Sequence, residues 1–207
     1  MEERGKTILD DSTSYCLDKS VTPKSKHITG IIPNIIAEES KKVDLVIIAQ
    51  RGEHEKWSTG LLGSTTESVV RKAPRPVLVT PNQFTEIKNV LVAYDGGNES
   101  NRALKTSCEL CNSLKCSMGV IIVTDDEDRS LSLTAEVKEF AGPYCLNEHI
   151  ETLDGEAAKV ILQYAENNRC DLIVMGAFSH GRIYDLILGG TTAYIIRQST
   201  IPVLLNR

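Results

Sequence analysis

The chain has 207 residues, 41% of them hydrophobic and 25% charged, with a formal net charge of −5. This suits a soluble globular protein of one or two domains, and the negative balance argues against non-specific nucleic-acid binding, which needs a basic face. No apolar run reaches membrane-spanning length and the polar start reads as no signal peptide, so a cytoplasmic protein with no membrane partner and six reduced cysteines is expected.

The first elements come in a short series. Residues 4–20 have a helix-like pattern, and a short strand is expected around His27. A helix follows over 31–42, then a strand over 44–50 and a loop carrying His54 and Trp57. A helix from Ser64 and a strand over 76–80 close the series.

The second series is longer. Residues 89–94 are an apolar run of branched residues closed by Asp95-Gly96-Gly97, which predicts a buried strand and a turn. A helix follows with Ala103, Leu104, Ser107, Cys108, Cys111 and Leu114 on one face. Next come a strand over 117–123, an acidic loop over 125–128, a helix, and a strand ending at Gly155. A helix over 156–168, a strand over 171–177, a helix from Gly189 and a strand over 202–206 complete it. The order βαβαβαβαβ predicts a parallel five-stranded sheet with helices on both faces. Ligands bind such sheets beyond the carboxyl ends of the strands, where Asp95, Val123 and Met175 fall.

The two series are related. "LGSTTESVVRKAPRPVLV" begins at Leu62 and "LGGTTAYIIRQSTIPVLL" at Leu188, and they align without a gap. A period this long fits a tandem duplication of a domain, here a truncated first domain over 1–81 and a complete one over 88–207. The first lacks equivalents of the opening strand, helix and second strand, which leaves sheet edges open.

Gly189-Gly190-Thr191-Thr192 stands directly before a helix. A helix N-terminus offers unpaired N–H groups and partial positive charge to an anion, glycines allow close backbone approach, and threonines add hydroxyls. The same residues also make an ordinary helix start with a threonine cap.

"VLVAYDGG", "DLIVMGAFSHGR" and "LILGGTTAYIIRQSTIPVLL" resemble the universal stress protein (UspA) family over 88–207. The resemblance implies a Rossmann-like fold of the adenine-nucleotide α-hydrolase type that binds ATP or AMP, with Mg²⁺. The family's Gly-x2-Gly-x9-Gly-Ser/Thr motif falls on Gly176, Ser179, Gly189 and Gly190, so two positions depart from it, and Thr191 stands next to the missing hydroxyl. Asp95 would lie against the adenosine, Val123 at the end of the second strand would frame the base, and Met175 would be among the nucleotide-binding positions. In 1–81 the motif leaves a vestige at Gly52, Gly63, Ser64 and Thr65, with Ala49 in place of the first glycine. The resemblance also implies antiparallel pairing of the last strands, either between the two copies or in a homodimer. Two functions follow from it: a nucleotide-dependent stress-response regulator, or a dimeric protein-interaction scaffold that binds no nucleotide. ATP hydrolysis is expected to be slow and incidental at most, because no catalytic constellation is evident.

The remaining candidates are weaker. Cys108 and Cys111 lie on the apolar helix face and read as core rather than metal ligands. His180 and Arg182 sit in the candidate ligand loop, where Arg suits phosphate.

Overall fold

The branched apolar runs of the second series become buried strands, with helices packed on both faces of the sheet. The computed structural model describes residues 2–52, 63–144, 148–177 and 189–207. Its elements are α1 (Glu2–Asp18), α2 (Ile32–Ser40), β1 (Val46–Ala49), α3 (Ser64–Lys72), β2 (Val77–Thr80), β3 (Asn89–Ala93) and α4 (Asn98–Leu114). They continue as β4 (Ser117–Val123), α5 (Glu127–Ala141), β5 (Glu148–Leu153), α6 (Ala157–Asn167), β6 (Leu172–Gly176), α7 (Gly190–Gln198) and β7 (Val203–Asn206).

All seven strands join one sheet in the order β1-β2-β7-β6-β3-β4-β5. The expected five-stranded parallel sheet is therefore one block, β7 to β5, of a larger mixed sheet. β1 and β2 form a second parallel pair, joined to the block by the antiparallel β2–β7 contact. The physical reason is the open edge of β7. An apolar edge strand with unpaired amides is stabilised by the next strand that fits, and the chain carries a second one of nearly the same sequence at residues 77–80. The pairing sets Leu78 opposite Leu204, with Val77 opposite Leu205 and Val79 opposite Val203.

The β2–β7 joint is symmetric in its neighbours as well. Val46 N–H donates to the Pro76 carbonyl and Gln50 N–H to that of Thr80; Ile173 donates to Pro202 and Ala177 to Asn206. The Gln50 side-chain amide donates to the Arg197 carbonyl (3.1 Å) at the end of α7, and the Arg207 guanidinium donates to that of Arg71 (2.8 Å) at the end of α3. Arg71 and Arg197 hold matching places in the two aligned stretches. Each segment thus satisfies orphan carbonyls on the other's closing helix.

The core has two layers. One packs Val69, Ile161 and Ile195 of α3, α6 and α7 on Leu91 and Ile173 of the sheet. The other packs Leu104, Cys108 and Val137 of α4 and α5 on Val90, Val92 and Val174. Cys108 and Cys111 are buried as expected, whereas Leu114, at the end of the same face, is 51% exposed.

Two local expectations change. No strand forms around His27, where residues 21–31 are irregular. A strand exists only when paired, and no strand among the described residues lies beside this stretch. The acidic run is not a loop either. The Asp126 carboxylate caps α5 by accepting from Arg129 N–H (3.0 Å), and Glu127 and Asp128 occupy its first turn, where the helix dipole favours negative charge.

Candidate functional site

The carboxyl ends of β3, β4, β5 and β6, together with the start of α7, enclose a cleft of about 570 Å³. Asp95, Val123, Met175, Gly176, Gly189, Gly190 and Thr191 all line it. Ser179, His180 and Arg182 lie outside the described residues, as do His54 and Trp57.

Each wall has a local cause. After β3 the chain turns at Gly96, whose φ of +78° strongly favours glycine. The Asp95 carboxylate accepts from Gly97 N–H (2.9 Å), which holds the turn. The Arg129 guanidinium, on the first turn of α5, donates to the Asp95 carbonyl (3.2 Å) and so ties the β4–α5 corner to the β3 end. Val123 and Met175 supply apolar surface from neighbouring strand ends, Met175 fully buried and Val123 half-buried.

The three motif glycines divide into two kinds. At Gly176 a β-carbon would sit 2.7 Å from the Ser100 nitrogen and 2.8 Å from the Glu99 carbonyl carbon. This glycine is required by the packing of α4 onto β6, with or without a ligand. At Gly189 and Gly190 an added β-carbon would meet nothing within 4 Å among the described residues, and neither has a positive φ. Thr191 is exposed beside them, whereas Thr192 is buried at 4%.

The matching stretch of the first segment does not join this cleft. Gly52, Gly63, Ser64 and Thr65 follow the carboxyl end of β1, and β1 runs antiparallel to the β3–β7 block. They therefore lie at the opposite rim of the sheet. There the Thr66 hydroxyl donates to the Ala49 carbonyl (2.8 Å), a purely structural bond.

Sequence reading missed Arg129 and the pair Asp154-Gly155, which also line the cleft. Asp154-Gly155 carried the same strand-ending Asp-Gly signal as Asp95-Gly96. Arg129 gave no signal, because its place depends on where the acidic cap starts α5. With Asp95, Asp125 and Asp154 against Arg129, the cleft lining is acidic among the described residues. The thiol of Cys111 is pushed up by burial and by its hydrogen bond with Cys116, which suits a core residue and not a nucleophile.

The universal stress protein family model matches residues 20–81 and 86–207. A universal stress protein of Synechocystis is 33% identical over 183 residues, covering 87% of this chain and 64% of that protein, so the chain spans less than two-thirds of that relative's length. The crystal structure of a universal stress protein from Archaeoglobus fulgidus has the same fold, with a TM-score of 0.86 at 24% identity over 100% of this chain and 79% of that one. A universal stress protein solved in complex with cAMP aligns with 59% of this chain and 99% of its own, at a TM-score of 0.51 and 17% identity. No helix among the described residues is long and apolar enough to cross a membrane. The chain belongs to the universal stress protein family.

Proposed function

We propose that the chain binds an adenine nucleotide, ATP or AMP, in the cleft at the β3, β4 and β6 ends and acts as a nucleotide-responsive regulator of the stress response. The carrying observation is that Gly189, Gly190 and Thr191 at the N-terminus of α7 share one cleft with Asp95, Val123 and Met175, and that a β-carbon added at either glycine would meet none of the described residues within 4 Å. Phosphate suits that end because the first N–H groups of α7 have no partners within the helix. The base and ribose suit the Asp95–Val123 side, where apolar strand ends meet a carboxylate acceptor. A family relative solved with cAMP supports the ligand class. The acidic lining disfavours a free triphosphate, so ATP would enter with Mg²⁺ and AMP without it. The reading is of binding, with at most slow hydrolysis.

In the same reading, residues 1–81 and 88–207 are two copies of one fold, the first lacking its opening strand–helix–strand. The symmetric β2–β7 register and the two separate family matches support this. The vestigial loop at Gly52, Gly63, Ser64 and Thr65 then holds no nucleotide on its own. The scaffold alternative draws on the apolar surface that the first segment exposes, including Ile32 and Ile47.

Native mass spectrometry of freshly purified chain, followed by calorimetric titration with Mg²⁺–ATP, AMP and cAMP, tests the reading. Co-purified nucleotide, or micromolar affinity lost in Asp95→Ala, supports it. No binding at millimolar nucleotide sinks it in favour of the scaffold.

A further inference from the structure

Two cysteines meet where α4 ends, and the helix ending itself brings them together. Lys115, directly after α4, adopts the left-handed conformation (φ +58°). Its amide and that of Cys116 both donate to the Cys111 carbonyl. The bond from Cys116, 3.2 Å long, turns the chain back over the last helical turn. In such an ending the residue after the left-handed position faces the residue five places earlier, and an apolar contact between the two is common. Here both places hold cysteine. Main chains this close suit the α-carbon separation of about 4.4–6.8 Å that a disulfide needs.

The side chains follow the backbone. The Cys111 thiol is hydrogen-bonded to that of Cys116 and also reaches the Ser117 carbonyl (3.7 Å) at the start of β4. The two sulfurs differ in access. Cys111 is 1% exposed, within the core layer under α4 and α5, whereas Cys116 packs on that layer from a half-buried position. An oxidant in solution therefore reaches Cys116 first. Cys108 lies one helical turn further from Cys116 and is fully buried. Burial keeps Cys111 from attacking anything in solution, but a partner sulfur already in contact requires no encounter.

We propose that Cys111 and Cys116 form a peroxide-reactive pair that closes to a reversible disulfide between the end of α4 and the start of β4. The oxidant is a hydroperoxide. Its O–O bond breaks as one oxygen bonds to the Cys116 sulfur, which gives a sulfenic acid and one water. The Cys111 sulfur then bonds to the Cys116 sulfur, and its proton leaves with the displaced hydroxyl as a second water. Two thiols are oxidised and one hydrogen peroxide is reduced to two waters. A dithiol reverses the bond by exchange. The pair depends neither on nucleotide binding nor on the two-copy reading.

The test is a peptide map of the folded chain after brief exposure to hydrogen peroxide, with remaining thiols alkylated before digestion. Trypsin cuts after Lys105, Lys115 and Arg129, so the two cysteines fall in separate peptides, 106–115 and 116–129. The expected product is these two peptides joined and two hydrogens lighter than their sum. Fragment ions should place the link at Cys111 and Cys116, and dithiothreitol should abolish it. The link should form at least ten-fold faster than any oxidised product at Cys170, a half-buried thiol that serves as reference. In Cys111→Ala the reaction should stop one step earlier, with a sulfenic acid at Cys116 that dimedone traps at least ten-fold more than in the parent chain. A link from Cys116 to Cys108, to Cys145 or to a second chain overturns the proposal. So does equal dimedone labelling of Cys116 in the two chains, or a pair still in the thiol form once Cys170 is oxidised. The parent map reads the link directly, so the proposal stays open to refutation even if Cys111→Ala does not fold.

Discussion

Leu78 and Leu204, which hold the same place in the two aligned stretches, lie directly opposite each other where β2 meets β7. Val77 and Val79 pair with the residues matching each other's counterparts, so a local two-fold axis passes between the two leucines. A single register thus joins two parallel strand groups into one sheet and sends their carboxyl ends to opposite rims.

That joint is a place to break the molecule. Val203 is buried in the strand between β6 and β2, paired with Ile173 on one side and Val79 on the other. Val203→Pro removes a ladder donor and sets a ring against a neighbouring strand, costing about 3 kcal/mol or more. Urea denaturation followed by circular dichroism measures it. Unchanged stability would remove the joint from the account of how the two segments cohere.

The motif glycines should separate in opposite directions. Gly176→Ala drives a methyl into the α4 backbone and should lower stability by about 1–3 kcal/mol. Gly190→Ala meets no protein atom among those described, so stability should stay within about 0.5 kcal/mol. Its effect is expected in calorimetry, as a nucleotide affinity at least ten-fold weaker. Equal affinity in Gly190→Ala and the parent chain would remove the phosphate role from that glycine.

Cation dependence separates the ligands. With Asp95, Asp125 and Asp154 lining the cleft, chelating Mg²⁺ with EDTA should weaken ATP at least ten-fold and leave AMP within about two-fold. Parallel titrations with and without EDTA decide this. An equal loss for both nucleotides would point to a structural cation instead.

The link between α2 and residues 24–26 should respond to acid. Lys26 and Lys42 donate to the Glu39 carboxylate and hold its pKa at about 2, below the ordinary 4.5. A depressed carboxylate stabilises the fold above pH 4.5 and loses that contribution as pH falls towards 2. The pair is solvent-screened, so the expected effect is local. An NMR titration should show Glu39 ionising near pH 2 at low salt, with the midpoint moving towards 4.5 in 1 M salt. A midpoint near 4.5 at low salt would mean the two lysines do not hold residues 24–26 against α2.

The sequence by itself determined the elements whose signals are local. A branched apolar run closed by Asp-Gly marked β3, a strand ending at Gly155 marked β5, and the gapless match from Leu62 and Leu188 marked two equivalent helix–strand endings. Alternation of strand and helix implied that Asp95, Val123 and Gly189 meet at one rim, and they do. The tertiary structure decided what depends on partners distant in the chain. Residues 23–28 were expected to hold a short strand but have no neighbouring strand among the described residues, so their amides gain nothing from an extended ladder. Gly176 and Gly190 look alike in a motif, and only the position of α4 shows that the first is demanded by packing and the second is not. Asp126 could have been loop or cap until α5 turned its open N–H groups towards it. Hydrogen-bond and packing energies arise between segments, so a local pattern states what a stretch can form and its neighbours settle whether it does.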